Sequence, residues 1–372
     1  MRRICIYCPT WESGGIEAFI SNIIQHMDLS NLEIDIVVDK LKNSVFTERV
    51  ESLGIAIKEL SGKQRAVFQN YRLLSKLMDE RKYDVLHLNV FQALPMAYLL
   101  LAKQKEISLR IVHSHNTMLR KSKTYHLKMA IHRLARLLFT KDATDLWSCS
   151  SIAADFMFNK TQIKEKKIQF IPNGIDLQRF QFRQEKRDIL RTKLKLENAF
   201  VIGNIGRLCE QKNQSFLLDV FAQIYREEKL SHLLLVGEGD ALVELKAKAV
   251  RLGISEHVTF YGTSEHVEEL LWAMDVFAFP SRFEGLGIVA VEAQAAGLPV
   301  VCSEQVPEEA IVSYAIRLPL DKVDIWSEAL IQQKGKRRID ISKNSELAKF
   351  DADKVAHWIE GRYGQGTDCI HG

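Results

Sequence analysis

The sequence lacks an uninterrupted apolar run long enough to form a convincing membrane span. Its longest stretch without Asp, Glu, Lys or Arg runs from Val85 to Ala102, 18 residues, which only reaches the minimum for a spanning helix. Polar residues and a proline interrupt it, namely His87, Asn89, Gln92 and Pro95. The stretch therefore predicts a buried strand, a polar loop and a packed helix. No secretory signal is visible at the N-terminus, so a cytoplasmic location is expected.

Cysteine is also scarce, with six residues in 372. Cys5 and Cys8 have the spacing of a redox motif, but no second pair completes a zinc site. Because Cys5 falls within a strand pattern, we expect small core residues in a reducing cytoplasm.

Charge is divided unevenly along the chain. Residues 1–180 carry 27 Lys and Arg against 18 Asp and Glu, whereas residues 181–372 carry 24 against 29. The net charge of +4 therefore conceals a basic half and an acidic half. A basic half suits nucleic acid, an anionic lipid surface or an anionic substrate.

Strand and helix patterns alternate along most of the chain. The predicted strands are 4–8, 33–38, 54–58, 84–88, 109–113, 145–149, 167–171, 199–205, 232–236, 257–261, 275–279 and 299–302. The clearest helix covers 16–27, with isoleucines on one face. This alternation predicts an α/β fold of two Rossmann-like, doubly wound domains, with ligands at the carboxyl ends of the parallel strands.

The most informative segment covers residues 275–301. An apolar strand stops at Pro280, a glycine-bearing turn follows, and a short helix of small residues comes next. Amides of Gly285 to Ile288 open that helix and can hold an anion. Glu284 and Glu292, eight positions apart, can each accept two hydroxyl hydrogen bonds. The segment therefore predicts a site for a phosphorylated, polyhydroxylated ligand. Alternatively, Glu292 lies on a solvated helix face.

A second segment, 202–213, follows the strand that opens the second half. Gly206 permits close approach of the backbone to a phosphate. Arg207 and Lys212 lie five positions apart across the loop, so both can converge on one point and stabilise negative charge there. The alternative is two surface cations near a helix start.

Two further elements lie in the first half. Gly14 and Gly15 join the first strand to the first helix and can present amides to a phosphate or an acceptor. His113 and His115 end a strand, where an imidazole is well placed for a binding site. A metal is the weaker interpretation of this doublet, because no nearby cysteine or carboxylate completes the ligand set.

The pattern Glu284-x7-Glu292, together with Arg207 and Lys212, resembles the signature of glycosyltransferase family four, which consists of retaining enzymes with the GT-B fold. The resemblance implies catalytic roles for Arg207, Lys212, Glu284 and His115. It implies donor binding by Gly14, Gly15, Gly206, Gly262, Thr263, Gly285, Leu286, Gly287, Ile288 and Glu292. Leu286 stands where many members have an aromatic residue, which alters the expected donor pocket.

The resemblance further implies two domains facing a central cleft. The expected acceptor domain is 1–178, followed by a linker at 179–198, a nucleotide-sugar domain at 199–349, and a helix at 350–372 that crosses back to the first domain. The expected reaction moves a sugar from a UDP-hexose to a polyprenyl-diphosphate-linked glycan in exopolysaccharide or capsule biosynthesis. The residues alone do not distinguish retention from inversion. A UDP-sugar 2-epimerase of the same fold and a non-catalytic nucleotide-sugar-binding subunit are the alternatives.

No cofactor and no divalent metal are expected. Asp351-Ala-Asp353 has the form of a metal-binding motif, but it precedes a helical pattern and is better explained as a helix N-cap.

Residues 118–141 are strongly basic and contain no acidic residue. The cations are Arg120, Lys121, Lys123, Lys128, Arg133, Arg136 and Lys141, and an apolar stripe at helical spacing consists of Leu127, Ile131, Leu134 and Leu138. The pattern predicts a basic amphipathic helix on an anionic membrane surface, and hence peripheral association with the inner face of the cell membrane. Packing of the stripe on its own domain is the alternative. Nucleic acid is not expected, because interleaved aromatic residues are absent.

Overall fold

The computed structural model describes residues 1–64, 66–119, 124–165, 168–340 and 344–364. Within them the chain divides into two compact units, Met1–Ile175 with Lys349–Gly372, and Asp176–Ala348. Each unit is built on a parallel sheet with helices packed against it.

The first unit contains a sheet of seven parallel strands in the order β3-β2-β1-β4-β5-β6-β7. The strands are β1 Arg2–Trp11, β2 Leu32–Leu41, β3 Ala56–Glu59, β4 Val85–Val90, β5 Leu109–Ser114, β6 Asp145–Ser148 and β7 Gln169–Phe170. The helices are α1 Gly15–Gln25, α2 Thr47–Glu51, α3 Val67–Arg81, α4 Ala97–Gln104, α5 Tyr125–Phe139, α6 Ser151–Met157, α7 Lys160–Glu165 and, from the chain end, α15 Ala352–Gly364.

The second unit contains six parallel strands in the order β10-β9-β8-β11-β12-β13. The strands are β8 Phe200–Ile205, β9 Ser231–Val236, β10 Val258–Gly262, β11 Val276–Phe279, β12 Val300–Ser303 and β13 Ala315–Leu318. The helices are α8 Leu177–Phe180, α9 Gln184–Leu194, α10 Gln214–Glu227, α11 Leu242–Arg251, α12 Val267–Ala273, α13 Ile288–Ala295 and α14 Val323–Ile331. Single 3₁₀ turns cover Leu29–Asn31, Leu94–Met96, Thr140–Asp142, Ser255–His257, Glu308–Ala310 and Leu347–Phe350.

The predicted doubly wound α/β fold is confirmed in both units. All twelve predicted strands are present, with shifted ends, and β13 is an additional edge strand. Residues 85–102 form β4, a 3₁₀ turn and α4. No helix among the described residues is both long and apolar enough to cross a membrane.

Each sheet is covered by apolar side chains on both faces, as expected for parallel strands. In the first unit, Ile16, Ile20 and Ile24 of α1 pack against β1 and against α15. Cys5 and Cys8 are buried free thiols of this sheet, in line with their expected role in the core.

Residues 179–198, which the sequence predicts to be a linker, contain α9 and belong to the second unit. Arg187 donates to Asp275 Oδ1 at 2.5 Å, and Arg191 donates to Asp275 Oδ2 at 3.1 Å. Because both arginines also donate to backbone carbonyls at the end of α12, α9 is held firmly on that unit.

The terminal helix α15 belongs to the first unit. Asp351 caps its first turn by accepting from the Asp353 amide at 3.1 Å, which agrees with the N-cap interpretation of this pair. Ile359 and Tyr363 are buried in the core beside α1.

Candidate functional site

An ion pair joins the two loops that the sequence singles out in the second unit. Lys212 lies in the loop after β8, and Glu284 lies in the loop after the neighbouring strand β11. Lys212 Nζ donates to Glu284 Oε1 at 2.7 Å, and the ammonium lies 5.0 Å from the centre of the Phe279 ring. The parallel sheet therefore brings these two predicted site residues together at the carboxyl ends of adjacent strands.

Backbone and amide hydrogen bonds hold the same two loops in register. Gln211 Nε2 donates to the Phe283 carbonyl at 3.0 Å, and the Arg282 amide donates to the Gln211 carbonyl at 2.8 Å. Gln214, the first residue of α10, donates from Nε2 to the Arg207 carbonyl at 3.1 Å. These bonds fix the backbone beneath Arg207, whose side chain is exposed.

Two glycines are required where these loops bend. Gly206 has φ +150°, and a Cβ there would lie 3.2 Å from Lys212 Cε. Gly287 has φ +86°, and a Cβ would lie 3.0 Å from the Phe279 ring. Both positions favour glycine for conformation as well as space.

The loop after β9 packs directly on the loop after β8. A Cβ on Gly237 would lie 2.2 Å from the Gly206 carbonyl oxygen, and one on Gly239 would lie 2.2 Å from the Leu208 carbonyl oxygen. The Gly237 amide also donates to the Gly262 carbonyl at 2.7 Å, next to the exposed Thr263. The glycines 237 and 239 therefore serve close packing of neighbouring loops at this edge of the sheet.

Helix α13 begins beside the ion pair. Gly287 is its N-cap and has no side chain with which to cap the first turn. Leu286 is buried, while Gly285 and Ile288 are partly exposed. Because a helix N-terminus presents amides and the positive end of its dipole, this end of α13 can hold an anion.

Glu292 lies one turn into α13 in a charged environment. Burial raises the pKa of its carboxyl to about 7, Arg179 and Lys212 oppose that rise, and Glu268 adds to it. Arg179 Nε in turn donates to Glu268 Oε2 at 2.8 Å. Because the side chain is itself partly exposed, the role of Glu292 in binding stays a prediction, as does the alternative of a solvated helix face.

In the first unit, Gly14 is the N-cap of α1 and Gly15 is its first residue. Gly15 is exposed, its φ is not positive, and a Cβ there would meet nothing within 4 Å. The fold itself therefore does not require glycine at position 15.

The histidine doublet ends β5 with unequal burial. His113 is fully buried, whereas His115 retains 9% exposure. His115 Nε2 contacts Asn89 Oδ1 at 2.8 Å, and burial lowers the pKa of the imidazole to about 3. Of the two, His115 is therefore the better placed to meet a ligand, and it is neutral.

Several supporting residues were not singled out as site residues from the sequence. His87 and Asn89 on β4 have the same two-residue spacing as the His113–His115 doublet, and Asn89 pairs with His113 in the register of β4 and β5. That shared spacing in two strands could have indicated from the sequence that His87 and Asn89 support the site. Arg179 and Glu268 lie far apart in sequence, so no local pattern indicates their meeting beside Glu292.

Helix α5 exposes the apolar stripe predicted for residues 118–141. Leu127, Ile131, Leu134 and Leu138 are all exposed, whereas His132 and Ala135 face the domain. The stripe therefore does not pack on its own domain within the described chain. Arg120, Lys121 and Lys123 lie outside the described residues.

Two protein-family models match this chain, one over most of each unit. A model described as "Glycosyltransferase Family 4" matches residues 13–179, and a model described as "Glycosyl transferases group 1" matches residues 199–332. The second match contains Lys212, Glu284 and Glu292.

Among curated relatives, the chain is 28% identical to EpsF of Bacillus subtilis (strain 168), a protein named as a glycosyltransferase, over 88% of this chain and 87% of that protein. It is 25% identical to a UDP-Gal:alpha-D-GlcNAc-diphosphoundecaprenol alpha-1,3-galactosyltransferase of Escherichia coli, over 73% of this chain and 72% of that protein. Among solved structures, Anabaena HepE in complex with UDP and glucose matches with a TM-score of 0.79 at 20% identity, covering 98% of this chain and 100% of that chain.

Proposed function

Because the chain belongs to family four of the glycosyltransferases and has their GT-B fold, we propose that it transfers a hexose from UDP-hexose to a lipid-linked glycan. The acceptor glycan would be carried on a polyprenyl diphosphate, and the product would belong to exopolysaccharide or capsule biosynthesis. A relative named as a galactosyltransferase acting on a diphosphoundecaprenol-linked sugar supports this choice of substrates.

The bond between Lys212 and Glu284 is the observation that carries the proposal. Glycosyl transfer breaks the bond between the anomeric carbon and the diphosphate oxygen, so negative charge develops on the departing diphosphate. An ammonium held at a fixed point stabilises that charge without reorganisation. Lys212 would serve this role, with Arg207 on the same loop and the N-terminus of α13 as further positive groups.

Carboxylates would hold the hydroxyl groups of the donor. Glu284 would accept from hydroxyls of the transferred sugar, and Glu292 from the two ribose hydroxyls. Gly262 and Thr263 would border the nucleotide base. His115, Gly14 and Gly15 of the first unit would contact the sugar and the diphosphate, and the reaction would retain the anomeric configuration without a divalent metal.

The test is a panel of nucleotide sugars, with mass spectrometry of the released nucleoside diphosphate. Slow donor hydrolysis is measured when no acceptor is present, and anomeric configuration is read from the product by NMR. We expect release of UDP from one UDP-hexose, and more release with a polyprenyl-diphosphate-linked sugar. An isomerised sugar nucleotide formed without acceptor would instead identify a 2-epimerase, and binding without release would identify a non-catalytic subunit.

The exposed stripe of α5 supports peripheral binding to the inner face of the cell membrane. Its leucines lie on a helix whose described cations include Lys128, Arg133 and Arg136, and the sequence from 118 to 141 has no acidic residue. Apolar burial and attraction to anionic lipid would then act together. Such binding would bring the enzyme to an acceptor anchored in lipid.

Vesicle sedimentation tests the membrane proposal with matched variants. Leu127 and Leu134 are 62% and 57% exposed on α5, and Leu230 and Val243 are 62% and 80% exposed in the second unit. We expect L127S/L134S to weaken binding to vesicles containing phosphatidylglycerol, and L230S/V243S to leave it unchanged. Equal losses of binding in both double variants would contradict docking through α5. Equal binding to neutral phosphatidylcholine vesicles would contradict a preference for anionic lipid.

A further inference from the structure

A group of buried polar side chains lies behind His115 in the first unit. His87 and Asn89 come from β4, and His113 comes from the neighbouring strand β5. His87 Nδ1 contacts the Tyr363 hydroxyl at 2.6 Å, and His87 Nε2 contacts His113 Nδ1 at 3.3 Å. The group joins the neighbouring strands β4 and β5 to the terminal helix α15.

The amide of Asn89 has a determined orientation. Its Nδ2 donates to the carbonyl of Tyr7 on β1 at 3.4 Å, which directs Oδ1 toward His115 Nε2 at 2.8 Å. An amide oxygen only accepts hydrogen bonds, so Nε2 of His115 must carry the hydrogen. In a neutral imidazole the other nitrogen, Nδ1, is then an acceptor.

His115 Nδ1 is buried and has no hydrogen-bond partner among the described residues. The ring packs against His113 at 4.0 Å and against Phe19 at 5.2 Å between centroids. The titratable groups around it include His113 on β5 and His87 on β4, and burial lowers the pKa of each, as it does for His115. A buried acceptor without a partner is costly unless a ligand supplies the hydrogen.

We propose that Asn89 is a positioning residue that fixes the Nε2–H tautomer of His115, so that Nδ1 accepts a hydrogen bond from a hydroxyl group of the sugar substrate. This inference rests on the proposed function for the identity of that hydroxyl. The tautomer itself follows from the contacts of Asn89 alone. Position 89 thus acts on the substrate only through His115.

NMR of the ligand-free wild-type protein tests the tautomer directly. With ¹⁵N-labelled histidine, and with H115Q to assign the signal, we expect a protonated Nε2 and an unprotonated Nδ1 at His115. In N89L the acceptor is lost, and a mixture of tautomers is expected. A wild-type protein whose His115 carries its hydrogen on Nδ1 would overturn the inference, whatever reaction the protein catalyses.

Activity provides the second test, through N89D. A carboxylate accepting from Nε2–H favours the charged imidazole, so it raises the pKa of His115, and the protonated Nδ1 can no longer accept. We expect kcat/KM of N89D to fall tenfold per pH unit below that raised pKa, with no such acidic limb in wild type. The limb should vanish from the residual activity of N89D/H115Q. N89L should lose roughly tenfold in kcat/KM, the worth of one hydrogen bond.

A uniform loss in N89D with the wild-type pH profile would overturn the positioning role. The proposed function fails separately, if no donor ever yields a nucleoside diphosphate. In that case the NMR result still decides the tautomer.

Discussion

Lys212 shows how one residue can unite two distant segments of the chain. Its ammonium bonds a buried carboxylate 72 positions away, at the ends of adjacent strands. The side chain therefore has a structural partner in addition to its proposed role toward the diphosphate. Replacing it must affect both stability and catalysis, and a control of equal exposure is needed to separate them.

We expect K212Q to lower kcat by about 100- to 1,000-fold, the typical cost of removing one group that stabilises a developing oxyanion. Lys248 is a matched control, since it is 19% exposed against 17% for Lys212 and bonds Asp219 Oδ2 at 2.6 Å. Turnover of nucleotide sugar and thermal unfolding are measured for K212Q and K248Q. Loss of turnover in both variants in proportion to stability would assign Lys212 a purely structural role.

Glu292 predicts a pH dependence of stability. Because burial raises the pKa of its carboxyl to about 7, the folded protein holds a proton that the unfolded chain releases near pH 4.5. The free energy of unfolding should therefore fall as pH rises from about 4.5 to about 7, by up to about 3 kcal/mol from this group.

Urea unfolding at pH 5 and pH 7.5 checks this expectation. E292Q should flatten the dependence, whereas E51Q, at an exposed glutamate, should retain the wild-type slope. Asp39 in the first unit should contribute a smaller decrease in the free energy of unfolding with rising pH, because burial raises its pKa to about 6. If E292Q and the wild-type protein showed the same pH dependence, the Glu292 carboxyl of the wild-type protein would be ionised at both pH values.

Among the secondary-structure elements, strands were more predictable than helix faces. Parallel strands covered on both sides are short apolar runs bounded by turns, and the sequence displays them directly. The edge strand β13 was missed, because its four residues are only partly buried and include Arg317. The face of α5 that turns inward was not predictable, because His132 and Ala135 carry less hydrophobic signal than the leucines left outside.

The start of α1 offers a test that separates fold from function. Gly15 and Gly361 both have open space where the methyl group of an alanine would lie, and neither has a positive φ. G15A and G361A should each preserve or raise the free energy of unfolding, by about 0.4–1 kcal/mol. Only G15A should lower transfer activity, because its methyl group would occupy space proposed for the diphosphate.

Denaturant unfolding and donor turnover are measured for both glycine variants. If G15A retains full turnover, then Gly15 does not approach the donor. If both variants lose turnover equally, helix rigidity rather than ligand contact is responsible.

For the molecule as a whole, the chain end completes the first unit. Arg362 of α15 makes two bonds to Asp145 of β6, from Nε to Oδ1 at 2.8 Å and from Nη2 to Oδ2 at 2.9 Å, and both side chains are almost buried. Removing one partner of such a pair leaves an uncompensated charge.

We expect R362A to destabilise the first unit by about 3–5 kcal/mol. K105A, which removes a more exposed pair with Asp79, should cost less than about 1 kcal/mol. Hydrogen exchange read by mass spectrometry should show lost protection in residues 1–175 and 349–364 of R362A, with the second unit unchanged. An equal loss of protection in both units would contradict the division of the chain into two separately stabilised units.

The α/β class, the two strand–helix series and the loops that carry Arg207, Lys212, Glu284 and Glu292 were all predictable from the amino-acid sequence. These features are local, because strand patterning, glycine turns and motif spacing each depend on residues that are close together in the sequence. Folding in three dimensions was needed to establish that Lys212 bonds Glu284, that Arg179 and Glu268 flank Glu292, that Asn89 orients His115, and that α5 turns its leucines outward. Those outcomes depend on which strands become neighbours and which face of each helix is covered, and such pairings join residues tens to hundreds of positions apart.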